Sequence, residues 1–194
     1  MPPTVVLDTN VIFSRVLHEL LGRVANTGGL LELIWSEELV QETTRVLIED
    51  KGLDPKRAAI WAGLIADVFP AGRVDISQIP PDLDLSTLTS DEDDYHICAL
   101  AIAGSADFIL TFDKKFNLDA LQALGIQAIE PDAFLAAAID DDPDSFREIL
   151  TEQAAAWAPR TLPPGRTIEE LIDAIERTST PIFAAKARKL FQLS

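Results

Sequence analysis

Short apolar runs alternate with longer amphipathic stretches over the first two thirds of the chain. Thr4-Val5-Val6-Leu7 is an uninterrupted, β-branched run, the pattern of a strand buried on both faces. Asn10 to Ala25 carries Val11, Val16, Leu20, Leu21 and Val24 at near-helical spacing and is closed by Gly28-Gly29. Leu31 to Trp35 reads as a second strand. Ser36 stands as an N-cap, with Glu37 and Glu38 in the first turn and Leu39, Val40, Val46 and Leu47 as the apolar face. Pro55 opens a further helix reaching about Phe69. Gly72 to Leu88, with Pro80-Pro81, is mostly loop, with a short strand placed at Val74–Ile76. Ser90 is placed as the cap of the next helix, Asp91 to Asp94 at its start, Ile97 to Ala103 as its body and Gly104 at its end. Ala106–Thr111 is a strand, Leu118–Leu124 a short helix ended by Gly125, and Ile126–Ile129 the last strand; Pro131 starts another helix. The resulting order, β-α-β-α-α-α-β-α-β, predicts an α/β fold with a mostly parallel sheet between helical layers.

The texture changes after about Ala138. Asp140-Asp141-Asp142-Pro143-Asp144 is a break or a helix start, and Ser145 to Trp157 reads as a helix. Pro159 to Gly165, with Pro163-Pro164-Gly165, is a loop. Thr167 caps Ile168–Arg177, and Thr180-Pro181 starts a last helix to Leu193. Two domains are expected: 1–135, and a small all-α extension over 136–194.

The 194 residues include a single cysteine, Cys98, which excludes an internal disulfide and any multi-cysteine zinc site. One cysteine fits a reducing compartment, and the expected location is cytoplasmic. The N-terminus has no basic region followed by an apolar run, so no secretory signal is expected. No apolar stretch is long enough to span a membrane. The net charge is −16, which opposes non-specific nucleic-acid binding and suits a cation or a basic protein partner. Residues 1–135 hold 9 basic and 22 acidic residues, a net of −13; residues 136–194 hold 7 and 10, a net of −3. The acid concentrates where the candidate chemistry lies.

That chemistry rests on four carboxylates: Asp8, Glu42, Asp94 and Asp113. Asp8 closes the first strand and Asp113 follows the strand at Phe108-Ile109-Leu110-Thr111, and in an open α/β sheet ligands bind at the carboxyl ends of the strands. Oxygen ligands suit a hard divalent cation such as Mg²⁺, and a metal pair activates water and stabilises the leaving oxygen of a phosphodiester. Each residue taken singly has a structural explanation. Asp8 can cap the following helix, Glu42 can be a solvated mid-helix charge, Asp94 can favour a helix dipole, and Asp113 can order the turn before Lys114-Lys115. Taken together they need a cation, because converging like charges repel.

Four stretches carry a resemblance: Val6-Leu7-Asp8-Thr9-Asn10-Val11, Trp35-Ser36-Glu37-Glu38-Leu39-Val40-Gln41-Glu42, Asp91-Glu92-Asp93-Asp94-Tyr95-His96-Ile97 and Ala106-Asp107-Phe108-Ile109-Leu110-Thr111-Phe112-Asp113. In this order and spacing the chain resembles the PIN-domain nucleases, in particular the VapC-type toxins of bacterial toxin–antitoxin pairs. The tail is similar to the helical C-terminal extension of one subgroup. The resemblance implies a three-layer α/β/α sandwich, Mg²⁺ or Mn²⁺ in the acidic pocket, endonucleolytic cleavage of RNA, and a cognate antitoxin with a basic segment that blocks the site. It implies Asp8 as central metal ligand, completed by Glu42, Asp94 and Asp113 directly or through water, with Asn10 and Thr111 as supporting polar groups. Asp93 competes with Asp94 for the third position, but Asp94 lies seven residues before Ala101, the family's usual spacing. Some relatives with this tail carry Asn where Asp113 stands. Many PIN proteins pair as homodimers, which implies the same here.

A negatively charged RNA-cutting enzyme needs cations at its rim. Arg15, Arg23, Arg45, Lys114 and Lys115 are the candidates, against the equal alternative of scattered solvated charge. His96 is a candidate substrate contact; a helical step of two from Asp94 points it away from the metal. His18 is expected at the surface, Cys98 in the core, Asp107 ordering its turn, and Trp35, Trp61 and Trp157 as packing anchors. Gly28-Gly29 lacks the pattern of a phosphate-binding loop. Two other functions stay open. One is a non-catalytic PIN-like module that binds RNA or protein. The other is a haloacid-dehalogenase-like phosphatase, which needs a second Asp two positions after the first, where this chain has Asn10.

Overall fold

The computed structural model describes residues 1–80, 82–157 and 167–193. The loop expected at Pro159–Gly165, Pro81 and the side chain of Trp157 lie outside the described residues. The strands are β1 (Thr4–Leu7), β2 (Glu32–Ile34), β3 (Phe108–Leu110) and β4 (Gln127–Ile129). They form one sheet in the order β2-β1-β3-β4, with every pairing parallel. The expected α/β class with a parallel sheet and a helical tail is what the chain adopts. Central β1 pairs Val5 with Leu33 and Phe108, and Leu7 with Leu110. Val5, Val6 and Leu7 are fully buried, as an unbroken apolar run in a parallel sheet should be. The strand order reverses between β1 and β3, the place in an open parallel sheet where ligands bind, and Asp8 and Thr111 follow the ends of these two strands.

The helices are α1 (Thr9–Ile12), α2 (Arg15–Asn26), α3 (Glu37–Glu49), α4 (Pro55–Val68), α5 (Tyr95–Ala103), α6 (Leu118–Ala123), α7 (Pro131–Asp141), α8 (Pro143–Trp157), α9 (Ile168–Glu176) and α10 (Pro181–Leu190). Contacts divide the chain into two compact units, one of residues 1–13 with 31–129, the other of 14–30 with 130–194.

In the first unit α5 packs on β1 and β3, and α3 packs on α4, α1 and α5. Ser36 caps α3 by accepting from Leu39 N, as expected, and α4 opens at Pro55 as expected, with Asp54 as its cap. Trp35 is buried and donates from Nε1 to Phe69 O at 2.8 Å; Trp61 packs against Leu47, Ala58 and Ala62. The strand expected at Val74–Ile76 does not form. Arg73 makes one parallel bridge to Trp35, and Ile76–Gln78 is a 3₁₀ turn with Asp75 accepting from Ser77 N. Gly72 permits that bridge, since a Cβ there would lie 2.1 Å from Leu33 O.

In the second unit α2 packs on α8 and α9, and α10 on α7 and α9. The rings of Phe146 and Phe183 meet at 5.7 Å in its core. Buried Asp132 on α7 accepts from Ile182 N and Phe183 N, capping the first turn of α10 from another helix. Thr167 and Glu170 close a capping box on α9.

Two expectations about helices are corrected. The single helix from Asn10 to Ala25 is two, because Ser14 Oγ accepts from Leu17 N and starts α2 afresh. Ser90 does not cap α5: its N–H goes to Lys115 O, and Asp91 caps a 3₁₀ turn, Glu92–Asp94, that precedes the helix. The break expected within Asp140–Asp144 forms at Asp142, which divides α7 from α8 and accepts with its side chain from Ser145 N and Oγ. His18 is buried, not at the surface, and burial pushes its pKa down to about 4.

Candidate metal centre

Asp8 occupies the N-cap position of α1 yet makes no capping bond with its side chain. Its backbone N–H is fixed on Leu110 O at 3.0 Å, which holds the end of β1 against the end of β3. Its Oδ2 accepts from Asn10 Nδ2 and from Thr111 Oγ, each at 2.5 Å. The Thr111 hydroxyl also accepts from Asn10 Nδ2 at 3.2 Å and from Asp113 N at 2.8 Å. Both lone pairs are then used, so its one proton must point at Asp8. Asn10 Oδ1 accepts from Phe112 N, which stitches α1 to the segment after β3. Asp8 is 2% exposed, and burial raises its pKa against the lowering effect of Thr111.

Asp94 stands at the N-cap of α5, again without a capping bond. Its Oδ2 is buried and has no hydrogen-bond partner. Burial first, then the charges of Asp8, Asp91 and Asp113, pushes its pKa up to about 7. Oxygens of Asp91, Asp94 and Asp113 lie within 4.8 Å of one another. Asp113 is placed by its own turn: its N–H donates to Thr111 and its Oδ1 accepts from Lys115 N at 2.8 Å. Asp93 is exposed and outside the trio; its side-chain position is left to solvent while its carbonyl meets His96 Nδ1 at 2.7 Å.

Asp91 is the member that sequence reasoning placed only among the acids at a helix start. It caps, accepting from Asp93 N, but one 3₁₀ turn also eclipses residues three apart, and so brings Asp91 and Asp94 to one side. The i,i+3 spacing of those two acids was the available signal. Lys115 completes the group: its Nζ lies 2.5 Å from Asp91 Oδ2 and 3.9 Å from Asp113 Oδ2.

Glu42 lies outside the trio. Its carboxylate is gripped by Arg45 through Nε at 2.9 Å and Nη2 at 2.6 Å, and that pairing holds its pKa below the usual range. His96 sits electrostatically between Asp8 and Glu42, and its Nε2 is buried without a partner. Of the cations expected from the sequence at a rim, Arg23 is committed to Glu19 and Glu152, Arg45 to Glu42 and Glu49, and Arg15 and Lys114 are exposed. Cys98 is fully buried, with its thiol pKa pushed up to about 12, and Asp107 accepts from Thr4 N at 2.8 Å.

The donor set fits a divalent cation. Three close carboxylates repel one another, and the one protein cation among them, Lys115, reaches Asp91 and Asp113 but leaves the buried Asp94 Oδ2 without a partner. All-oxygen ligation is the chemistry of Mg²⁺ and Mn²⁺.

The family model described as "PIN domain" matches residues 4–115, over half of the chain, and the one described as "VapC50 C-terminal domain" matches residues 131–189. No curated protein and no solved structure matches the chain. No helix among the described residues is long and apolar enough to cross a membrane. The chain belongs to the PIN-domain family, in the VapC-type group that carries a C-terminal extension, and its role is of the nuclease or toxin kind that goes with that membership.

Proposed function

We propose that this chain is a Mg²⁺- or Mn²⁺-dependent endoribonuclease, the toxin of a toxin–antitoxin pair, which hydrolyses RNA phosphodiester bonds. The observation that carries the reading is the carboxylate trio of Asp91, Asp94 and Asp113, with oxygens within 4.8 Å of one another and the Oδ2 of Asp94 buried without a partner; Asp8, outside the trio at the end of β1, adds its charge to that of the trio. Asp8, Asp94 and Asp113 would hold the metal, with Glu42 joining directly or through water once Arg45 yields. Bound there, a divalent ion supplies an activated water and takes up negative charge on the phosphodiester oxygens.

The chain's own residues prepare that chemistry. Thr111 and Asn10 fix one oxygen of Asp8 and so fix the direction in which the carboxylate faces. Asp94 carries a proton for part of the time near neutrality and must shed it to act as a ligand. His96 presents a buried ring nitrogen near Asp8 and Glu42 and is a candidate contact to substrate, with Arg15, Arg23 and Lys114 as further candidates. The acidic surface suits an antitoxin with a basic segment, whose positive charge would enter the same pocket. The working form would be a cytoplasmic homodimer, with residues 1–135 as the nuclease domain and 136–194 as the extension.

The test is incubation of the full chain with total RNA and Mg²⁺ or Mn²⁺, with and without EDTA, alongside Asp8→Asn. Discrete fragments that need both the metal and Asp8 are expected. Intact RNA in every arm, with a folded protein, would leave a binding module instead.

A further inference from the structure

The acidic trio holds a cation of its own. Lys115 Nζ lies 2.5 Å from Asp91 Oδ2 and 3.9 Å from Asp113 Oδ2, so it reaches two of the three carboxylates that approach one another. Its placement is built, not incidental: Lys115 N donates to Asp113 Oδ1, and Lys115 O accepts from Ser90 N beside Asp91. The strand-end turn of β3 is thereby tied to the turn that opens α5, with the ammonium across the gap. The side chain is about half exposed, so solvent borders it on one side.

We infer that Lys115 is a resident counter-ion of the metal-free site, that Asp91 is a metal ligand alongside Asp94 and Asp113, and that the ammonium must leave Asp91 for a divalent ion to take all three. The inference rests on the metal-dependent reading above. A divalent ion bound by all three oxygens lies within a few ångströms of any ammonium still on Asp91, and two cations at that separation repel. Lys115 therefore competes with the metal for Asp91. It also limits repulsion within the trio while no metal is bound. Displaced, it stands at the rim of an otherwise acidic pocket, where a phosphate would meet it.

The test is Mn²⁺ titration by calorimetry on the full chain, with Lys115→Gln, Lys114→Gln, Asp91→Asn and the Asp91→Asn/Lys115→Gln pair. Lys114→Gln removes the same charge one residue away and serves as the control for general electrostatics. Lys115→Gln should raise Mn²⁺ affinity about fivefold or more, Lys114→Gln by less than about twofold, and Asp91→Asn should lower it; in the Asp91→Asn background the Lys115→Gln gain should vanish. Equal effects of the two lysine substitutions, an unchanged affinity in Asp91→Asn, or a Lys115 gain that survives Asp91→Asn would overturn the inference. If wild-type protein takes up Mn²⁺ but these differences are missing, this inference alone fails. If wild type takes up no Mn²⁺, the metal-dependent reading fails with it.

Discussion

Asp94 is the residue at which function and stability oppose each other. Its pKa of about 7 lies above the ordinary 3.8, because burial and three neighbouring carboxylates disfavour its charge. A raised folded-state pKa means that the metal-free protein is favoured below 3.8 and loses that advantage as pH rises through about 7. Asp94→Asn removes the charge and should raise the metal-free melting temperature at pH 8 by about 3 °C or more, read by calorimetry. Little or no gain there would mean that the site is not strained. His18 works in the other direction. Its folded pKa of about 4 lies below the ordinary 6.5, so stability is complete above 6.5 and falls toward pH 4. The loss is about 3 kcal/mol over that window. His18→Leu should flatten it in urea unfolding, and an unchanged pH slope would reject the assignment. Neither property was legible in the sequence. A lone histidine on a helix does not reveal which face is covered, and four consecutive acids at a helix start do not reveal which of them are half-buried. Asp8 and Asp113 were legible, because each stands at the end of an apolar strand.

Elements were readable wherever one signal dominated. Ser36, Pro55 and Thr167 mark helix starts that form as expected. The break between α1 and α2 was hidden, since Val11 and Val16 fit one apolar face and only the Ser14 cap separates the two helices. The Val74–Ile76 strand failed because its pairing with the sheet edge stops at a single bridge, Arg73 to Trp35. Asp132 shows how a contact remote in sequence escapes local reading. It accepts from two backbone N–H groups of α10, 50 and 51 residues on. Asp132→Ala would leave those donors without a partner in a buried turn and should cost about 3 kcal/mol in urea unfolding. Asp132→Asn should recover part of that. Equal losses for the two would place the effect in side-chain volume, not in the cap.

At the scale of the whole molecule, the net charge of −16 makes self-repulsion a standing cost and monovalent salt a stabiliser. The melting temperature of the metal-free chain should rise from low to physiological ionic strength; a fall would indicate that its ion pairs outweigh the repulsion. On the proposed reading, the same charge means that RNA would be engaged through bound metal and a few cations near the site, not through a broad basic face. The central claim is that the carboxylates at the ends of β1 and β3 and the start of α5 hold a divalent ion that cuts RNA. Its most direct test is the cleavage rate of RNA with Mn²⁺ at pH 8 for wild type and Asp94→Asn, both shown to be folded by circular dichroism. Metal-dependent cleavage by wild type, and its loss in a variant that is at least as stable, is the predicted result. Equal cleavage by the two proteins, or cleavage that persists in EDTA, would contradict the account.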